Sequence, residues 1–269
     1  MSITQESPGR SRSTLSLITH QFRYDWLSFW NNTQARFFTI LMPVLFLLLF
    51  SSIFRHVKAT VPGGTMPEGV YYVGSIIAYG VIAASFLNLG INVVQYREAG
   101  IYKRRRATPV PTGAIIGGRT IVGCVTALVM AAILLAIGWF SVSAHLPART
   151  LPAFVLTLVV GTVVFCVLGF AMSTVITNAD AAQPVLLAVF LPLSFISGIF
   201  IPVSSLPHWL ADIGKVFPIY PFAAALVACY NPHTIGSGLS WSHLGLLALW
   251  GVVGLLVAVR RFSWLPSGE

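Results

Sequence analysis

The sequence predicts an all-α integral membrane protein. The predicted fold has six transmembrane helices, an N-terminal interfacial amphipathic helix, and two short re-entrant extracellular helices between helices 5 and 6. The first observation is composition, because 56% of the 269 residues are hydrophobic and 9% are charged, whereas a soluble domain carries about a quarter charged residues. The second is that no Asp, Glu, Lys or Arg occurs between Arg119 and Arg149, between Arg149 and Asp180, or between Lys215 and Arg260. Each stretch can hold a span of about 20 apolar residues.

The elements follow in order along a single domain that covers residues 1–269. Residues 1–13 are polar and predict a flexible tail. Within 14–32, Leu15, Ile18 and Phe22 begin an apolar stripe at helical spacing, which predicts a helix lying in the membrane interface. The ragged start of the first span is the alternative. The spans are predicted at about 37–54, 70–94, 115–141, 152–177, 183–202 and 240–260, and the stretch 55–69 has the composition of a turn.

The stretch 203–239 fits neither a plain loop nor a span. Pro218 and Pro221 interrupt two short apolar segments, which favours two helices that dip into the outer leaflet and return. The alternative is a seventh, broken span at 216–231. That alternative places Arg260 and Arg261 outside, against the distribution of positive charge.

The positive charge is distributed very unevenly between the two predicted sides. Twelve of the 16 Lys and Arg residues lie on one predicted side, in the N-terminal segment, between Arg97 and Arg119, and at the C-terminus. The other side carries four, which are Arg55, Lys58, Arg149 and Lys215. The positive-inside rule therefore places both termini in the cytoplasm of a multi-pass protein of the plasma membrane. In this setting the net charge of +9 indicates anionic lipid rather than nucleic acid as a partner.

Several chemistries lack their motifs in this sequence. It contains no GxxxxGK[ST] phosphate-binding loop, no HExxH and no GxSxG. His208 and Asp212 lie four residues apart but have no third ligand nearby in the sequence, so neither a metal site nor an enzyme is expected. No acidic residue is predicted in the middle of a span, which disfavours transport driven by an ion gradient. The energy for any pumping is therefore expected from another chain.

The loop that follows the second span has the composition of a short helix that binds a soluble partner and transmits its movement to the spans. Residues Arg97 to Ala107 predict a short charged helix, and Pro109 and Pro111 end it. The candidate coupling residues are Arg97, Glu98, Gly100, Ile101, Tyr102, Lys103, Arg104, Arg105 and Arg106. The Ile-Tyr pair flanked by charge favours docking to a soluble partner, and the alternative is a polybasic anchor on anionic lipid.

Two stretches of the sequence resemble a known family. The string from Tyr96 to Pro111 (YREAGIYKRRRATPVP) resembles the cytoplasmic loop of ABC type-2 transporter permeases. The stretches Ser197–Leu210 (SGIFIPVSSLPHWL) and Phe217–Phe222 (FPIYPF) look like that family's signature near the end of the fifth span. The resemblance implies the non-catalytic permease subunit of an ATP-driven exporter, which pairs as a homodimer or heterodimer. It implies no cofactor on this chain, with ATP and Mg on a partner ATPase that docks at residues 97–106 and the N-terminal helix. The Lys103–Arg106 run is more basic than the family pattern, so contact with the ATPase, with lipid headgroups, or with both stays open.

In such a pair the resemblance implies a substrate path along spans 1, 2 and 5. The candidate lining residues are Tyr79, Ser85, Asn88, Asn92, Phe190, Ser194 and Ser197. Hydrogen bonding between neighbouring helices is the alternative role for each of them. Low charge along this path favours a drug or lipid as substrate. The alternatives are an exporter of a polysaccharide or glycolipid and a non-transporting membrane anchor for a soluble partner.

Overall fold

The computed structural model describes residues 37–100, 112–146 and 148–261, together with Leu27, Asn31 and Thr33. The predicted tail at 1–13, nearly all of the predicted interfacial helix at 14–32 and the coupling residues 101–106 lie outside the described residues, so the statements about them stay predictions.

Within those residues the chain forms eight α-helices and one two-stranded β-hairpin. Helix α1 is preceded by a π-helical turn, Phe37–Leu41, and α2 contains a second one, Ala83–Leu87. The bounds are α1 Met42–Ile53, β1 Lys58–Val61, β2 Gly64–Pro67, α2 Glu68–Glu98, α3 Thr112–Val142, α4 Leu151–Ser173, α5 Ala179–Ile196, α6 His208–Val216, α7 Ile219–Tyr230 and α8 Trp241–Arg261.

Five of these helices, α2, α3, α4, α5 and α8, are long and apolar enough to cross a membrane, and α6 with α7 would add a sixth if counted as one span. Helix α1 is apolar but shorter, with its apolar part at Thr39–Ile53. The predicted helical membrane architecture is therefore confirmed at the level of a mostly helical bundle with five or six candidate spans.

The β-hairpin corrects the all-α prediction, which assigned a loop to 55–69. Strands β1 and β2 pair antiparallel, with Val61 opposite Gly64. Pro62 and Gly63 form the two-residue connection, and Gly63 has φ +88°. Proline followed by a glycine of positive φ is the sequence signature of a type II turn. Two four-residue strands are too short for their alternation to stand out in the sequence.

The fifth span also differs from its predicted bounds of 183–202. Helix α5 begins at Ala179, because the side chain of Asn178 accepts a hydrogen bond of 2.9 Å from the Asp180 backbone N–H and caps the helix. It ends at Ile196, since the chain turns at Gly198, where φ is +84°. A β-carbon at Gly198 would lie 2.8 Å from Val203 Cγ2, so the turn requires glycine for both its conformation and its space.

Helix α2 lies at the centre of the bundle. In its most apolar 18-residue segment 83% is buried, compared with 22% in that of α5. A cluster of aromatic rings fixes α1 and α5 against it. The ring of Phe200 lies 5.2 Å from that of Phe46, 5.3 Å from that of Tyr79 and 4.9 Å from that of Phe195, measured between centroids. These separations are typical of favourable aromatic pairs.

One end of the bundle, here called the hairpin end, consists of the β-hairpin and residues 142–146, 148–150 and 231–240. Asn231 Nδ2 donates to the Pro62 carbonyl (2.9 Å), and His233 Nε2 lies 3.1 Å from the Thr65 carbonyl oxygen. Arg149 donates to the Thr234 carbonyl (2.5 Å). Helices α6 and α7 meet at 96°, and α7 ends at the hairpin end.

Candidate functional site

The opposite end of the bundle contains a buried arginine at the start of the predicted coupling segment. The side chain of Arg97 is only 4% exposed. Its Nη1 donates to the Ser173 carbonyl (3.0 Å), its Nη2 donates to the Ile176 carbonyl, and its Nε donates to Glu98 Oε1 (3.2 Å). Ser173 is the last residue of α4, whose final carbonyls lack partners within the helix. Arg97 therefore connects the end of α2 to the C-terminus of α4.

The electrostatics of this contact are favourable. A helix C-terminus carries a partial negative charge, and a cation near it is stabilised. The guanidinium group presents several donors in a fixed plane, so it can bind two carbonyls of the chain leaving α4 at once. The neighbouring Glu98 carboxylate, whose side chain is 25% exposed, offsets part of the buried positive charge.

The predicted coupling helix, Arg97 to Ala107, requires a correction at its beginning. Arg97 and Glu98 form the last turn of the long helix α2. The Gly100 N–H donates to the Arg97 carbonyl, and Gly100 has φ +65°, a conformation that commonly ends helices. Arg97 and Glu98 therefore belong to α2 and do not start a separate helix. The Glu-Ala-Gly string was the sequence signal for this ending.

Five residues of the predicted substrate path are buried within the chain itself: Tyr79, Ser85, Phe190, Ser194 and Ser197. The hydroxyl of Ser85 donates to the Val81 carbonyl (2.6 Å), and that of Ser194 donates to the Phe190 carbonyl (2.7 Å). Both bonds connect residues four apart in one helix, a common arrangement for serine in apolar helices. In the described conformation these two hydroxyls hydrogen-bond within their own helices, and neither residue lines one of the two cavities described below.

The spacing of Ser85, Asn88 and Asn92, at i, i+3 and i+7, would place them on one face of a regular helix, but α2 is not regular at this point. Ser85 lies inside the π-helical turn Ala83–Leu87, which directly precedes Asn88, and a π-turn inserts an extra residue and changes the helical register. Asn92 Nδ2 donates to both the backbone and the side-chain oxygen of Asn88, at 2.7 Å each. Asn88 and Asn92 therefore form a partly buried pair, distinct from the fully buried Ser85.

Two residues of the predicted path line cavities that the sequence did not reveal. Phe190 lines an apolar cavity of about 280 Å³ between α2, α4, α5 and α8. Ser197 lines a larger cavity of about 500 Å³ at the hairpin end. Tyr71 and Tyr220 also line the larger cavity and were not predicted as site residues; their only sequence signal is a hydroxyl near an end of an apolar segment.

The described residues contain no group of three or more His, Cys, Asp or Glu side chains that could hold a metal ion. Asp212 accepts a hydrogen bond of 2.8 Å from Lys215, and both side chains are exposed. The pairing with His208 considered from the sequence is therefore replaced by an ion pair on the surface of α6.

The fold and this distribution of charge define the class of protein. In the candidate spans, charged residues lie in the first or last turn at Glu68, Arg97, Glu98, Asp180, Arg260 and Arg261, and Arg119 lies about two turns into α3. Apolar helices of this length with charge confined to their ends define a multi-pass helical membrane protein.

Comparison with known proteins gives the family. Residues 17–230 match the family described as ABC-2 type transporter, and the chain belongs to that family. It is 21% identical over 225 residues to YvfS of Bacillus subtilis, which is named as a transport permease, covering 83% of this chain and 88% of the relative. It is 25% identical over 152 residues to YbhR of Escherichia coli, named as a multidrug ABC transporter permease, covering 56% of this chain and 41% of the relative.

Family membership confirms the resemblance seen in the loop after α2 and near the end of α5. The chain is a transmembrane permease subunit of an ABC transporter, and the family implies partnership with an ATP-binding cassette subunit.

Proposed function

We propose that this chain is the permease half of an exporter driven by ATP hydrolysis on a separate ATPase subunit. The observation that carries this proposal is the Arg97 contact. The segment expected to meet the ATPase is joined to α2 through its backbone and to α4 through the Arg97 guanidinium. A push on the segment after Gly100 would therefore move the ends of two spans together.

The location of charge supports an external energy source. A transporter coupled to protons or sodium ions usually carries an ionisable group inside the membrane. The acidic residues of the described candidate spans, Glu68, Glu98 and Asp180, all lie in first or last turns. ATP and Mg would be held by the partner and not by this chain.

The proposed topology has six spans, α1 to α5 and α8, with α6 and α7 as a re-entrant pair. The segment between α5 and α6 and the end of α7 both line the cavity at the hairpin end, through Pro202 and Ala228 respectively. The midpoint of the pair lies deeper, where Phe217 stacks on Trp250 with centroids 6.2 Å apart. The α6–α7 pair therefore starts and ends near the hairpin end and reaches its deepest point between the two helices. This arrangement favours a re-entrant pair over a broken span. The Arg97 end, near which α8 finishes with Arg260 and Arg261, would face the cytoplasm of the plasma membrane.

The proposed substrate is a hydrophobic or amphipathic drug or lipid. The apolar cavity beside Phe190 has almost entirely carbon-lined walls, including Phe86, Phe165 and Trp250, and suits such a molecule better than a charged polysaccharide. A second permease chain would complete the path along the exposed faces of α1 and α5, where Leu45, Leu49 and Phe195 are each about half exposed.

The deciding experiment is affinity purification of the chain from its native membrane in mild detergent, with mass spectrometry of the proteins that copurify. We expect a stoichiometric soluble protein with a phosphate-binding loop, and its ATPase activity should rise with a transported drug or lipid. A second permease sequence in the complex would indicate a heterodimer. Copurification without any stimulation by substrates would contradict the exporter and favour a non-transporting anchor.

A further inference from the structure

We propose that the cavity of about 500 Å³ at the hairpin end is a binding site for an uncharged amphipathic molecule. In this site the polar group of the ligand meets Ser197 and His243, and its apolar part lies along α7. The site lies within one chain and involves no residue of the Arg97 end, so it does not depend on the ATPase.

The first argument is that two polar atoms at this cavity have no partner. Among the described residues four buried side-chain atoms lack a hydrogen bond, and two of them, Ser197 Oγ and His243 Nδ1, belong to residues that line the cavity. Ser197 is 1% exposed. Buried polar side-chain atoms are rarely left without a partner in folded proteins, so these two atoms indicate a group that is not part of this chain.

The neighbouring hydroxyls cannot fill this role because they are already engaged. Tyr71 donates to the Gly198 carbonyl at 2.6 Å, and Ser75 donates to the same carbonyl at 3.4 Å. The carbonyl beside Ser197 therefore already accepts two hydrogen bonds, and Ser197 Oγ is left without a partner in the wall of the cavity. The ring of His243 makes an edge contact with that of Tyr220, at 5.8 Å between centroids.

The second argument concerns the walls and gives the chemical class. The cavity residues include no Asp, Glu, Lys or Arg, so only His233 and His243, when protonated, could balance a charge on a ligand, and only a negative one. Helix α7 contributes Ala223, Ala224, Val227 and Ala228, and these small side chains leave the space open. A volume of about 500 Å³ falls within the usual range of about 300–1,000 Å³ for small-molecule sites. An uncharged molecule with one hydrogen-bonding group and an apolar body fits these walls.

The experiment uses the permease alone in lipid nanodiscs and reads the labelling of a Ser197→Cys thiol by methyl methanethiosulfonate. The label is measured on the individual peptide by mass spectrometry, so the native cysteines do not interfere. The probe is N-phenylnaphthylamine, which is uncharged and carries one N–H donor. Its matched partner is anilinonaphthalene sulfonate, which adds a negative charge to the same rings.

We expect N-phenylnaphthylamine, at ten times its dissociation constant, to slow the labelling about tenfold, and the sulfonate to slow it far less. Ser237→Cys, on the exposed loop outside the cavity, should be labelled equally with and without either probe. Ser194→Cys, one turn below and buried outside the cavity, should not be labelled.

A second variant tests the role of the polar group. His243→Phe keeps a ring beside Tyr220 but removes the unpaired nitrogen. It should raise the dissociation constant of N-phenylnaphthylamine about two- to tenfold, the amount expected for one lost hydrogen bond. Ala224→Trp should fill the cavity and abolish protection, whereas Ala132→Trp, exposed on α3, should not.

Three results would overturn the proposal. They are equal labelling of Ser197→Cys with and without the uncharged probe, no labelling at all, and equal protection by the sulfonate. The labelling is measured without an ATPase, so it is independent of the test of the exporter. If the probe protects Ser197→Cys but substrates do not stimulate the partner ATPase, only the exporter is refuted. If substrates stimulate the ATPase but the probe gives no protection, only this site is refuted.

Discussion

Replacing Arg97 by alanine tests the connection between α2 and α4 directly. The change removes two hydrogen bonds from a buried guanidinium to the Ser173 and Ile176 carbonyls and one to Glu98. Hydrogen bonds to a charged group contribute about 1.5–3 kcal/mol each. Taking the lower value for the two carbonyl bonds, because water can partly replace them at a helix end, we expect the free energy of unfolding to fall by about 3 kcal/mol.

Arg97→Lys separates charge from geometry. The lysine ammonium keeps the favourable interaction with the C-terminus of α4 but cannot present the planar pair of donors, so about half of the stability should return. Arg261→Ala is the matched control, because Arg261 is an exposed arginine in the last turn of α8 and its removal should change stability by less than about 0.5 kcal/mol.

The assay has two readouts on the complex with its ATPase, reconstituted in liposomes. Unfolding in mixed micelles gives stability, and the ratio of substrate exported to ATP hydrolysed gives coupling. We expect Arg97→Ala to lower that ratio at a temperature where the protein is still folded. Wild-type stability would refute the hydrogen-bond reasoning, and lowered stability with an unchanged ratio would make Arg97 a structural residue only.

Two further predictions concern the coupling segment and the packing of α4. Glu98→Ala and Arg105→Glu should each reduce export per ATP hydrolysed while leaving membrane insertion intact, and wild-type export in both variants would remove the coupling role of this segment. Gly161→Ala should destabilise the protein by roughly 3 kcal/mol, because the new β-carbon would overlap the fully buried ring of Phe222. Gly245→Ala, where nothing lies within 4 Å of the added carbon, should stay within about 1 kcal/mol of the wild type in the same unfolding measurement.

Hydropathy located the long elements well because a membrane span needs length and apolar composition, and both can be read from the sequence. The last helix, predicted at 240–260, spans Trp241–Arg261, and the third, predicted at 115–141, lies within Thr112–Val142. The hairpin escaped prediction because four-residue strands carry too little pattern. The end of α5 at Ile196 escaped because Ser197 and Gly198 lie in an otherwise continuous apolar run.

The site was predicted less completely than the fold, for a different physical reason. Arg97 was selected for its place in a basic segment, but its partners lie 76 and 79 residues away in sequence, and no local pattern reports such a contact. A regular helix would place Ser85 and Asn92 on one face, but the π-turn that contains Ser85 changes the register. The two cavities arise from the packing of helices, which periodicity alone does not determine.

The hydrogen bonds that join the β-hairpin to the segment after α7 have a consequence for the order in which the chain folds during synthesis. The hydrogen bond from Asn231 to Pro62 joins residues that are 169 apart. At a synthesis rate of about 5–20 residues per second, the hairpin emerges roughly 10 to 30 s before its partner exists. During that interval the hairpin, which joins α1 to α2, lacks the contacts that Asn231 and His233 make with it in the complete chain. The last third of the chain therefore completes the architecture of the first, and a ribosome that stalls before residue 231 leaves an insertion intermediate rather than a smaller folded protein.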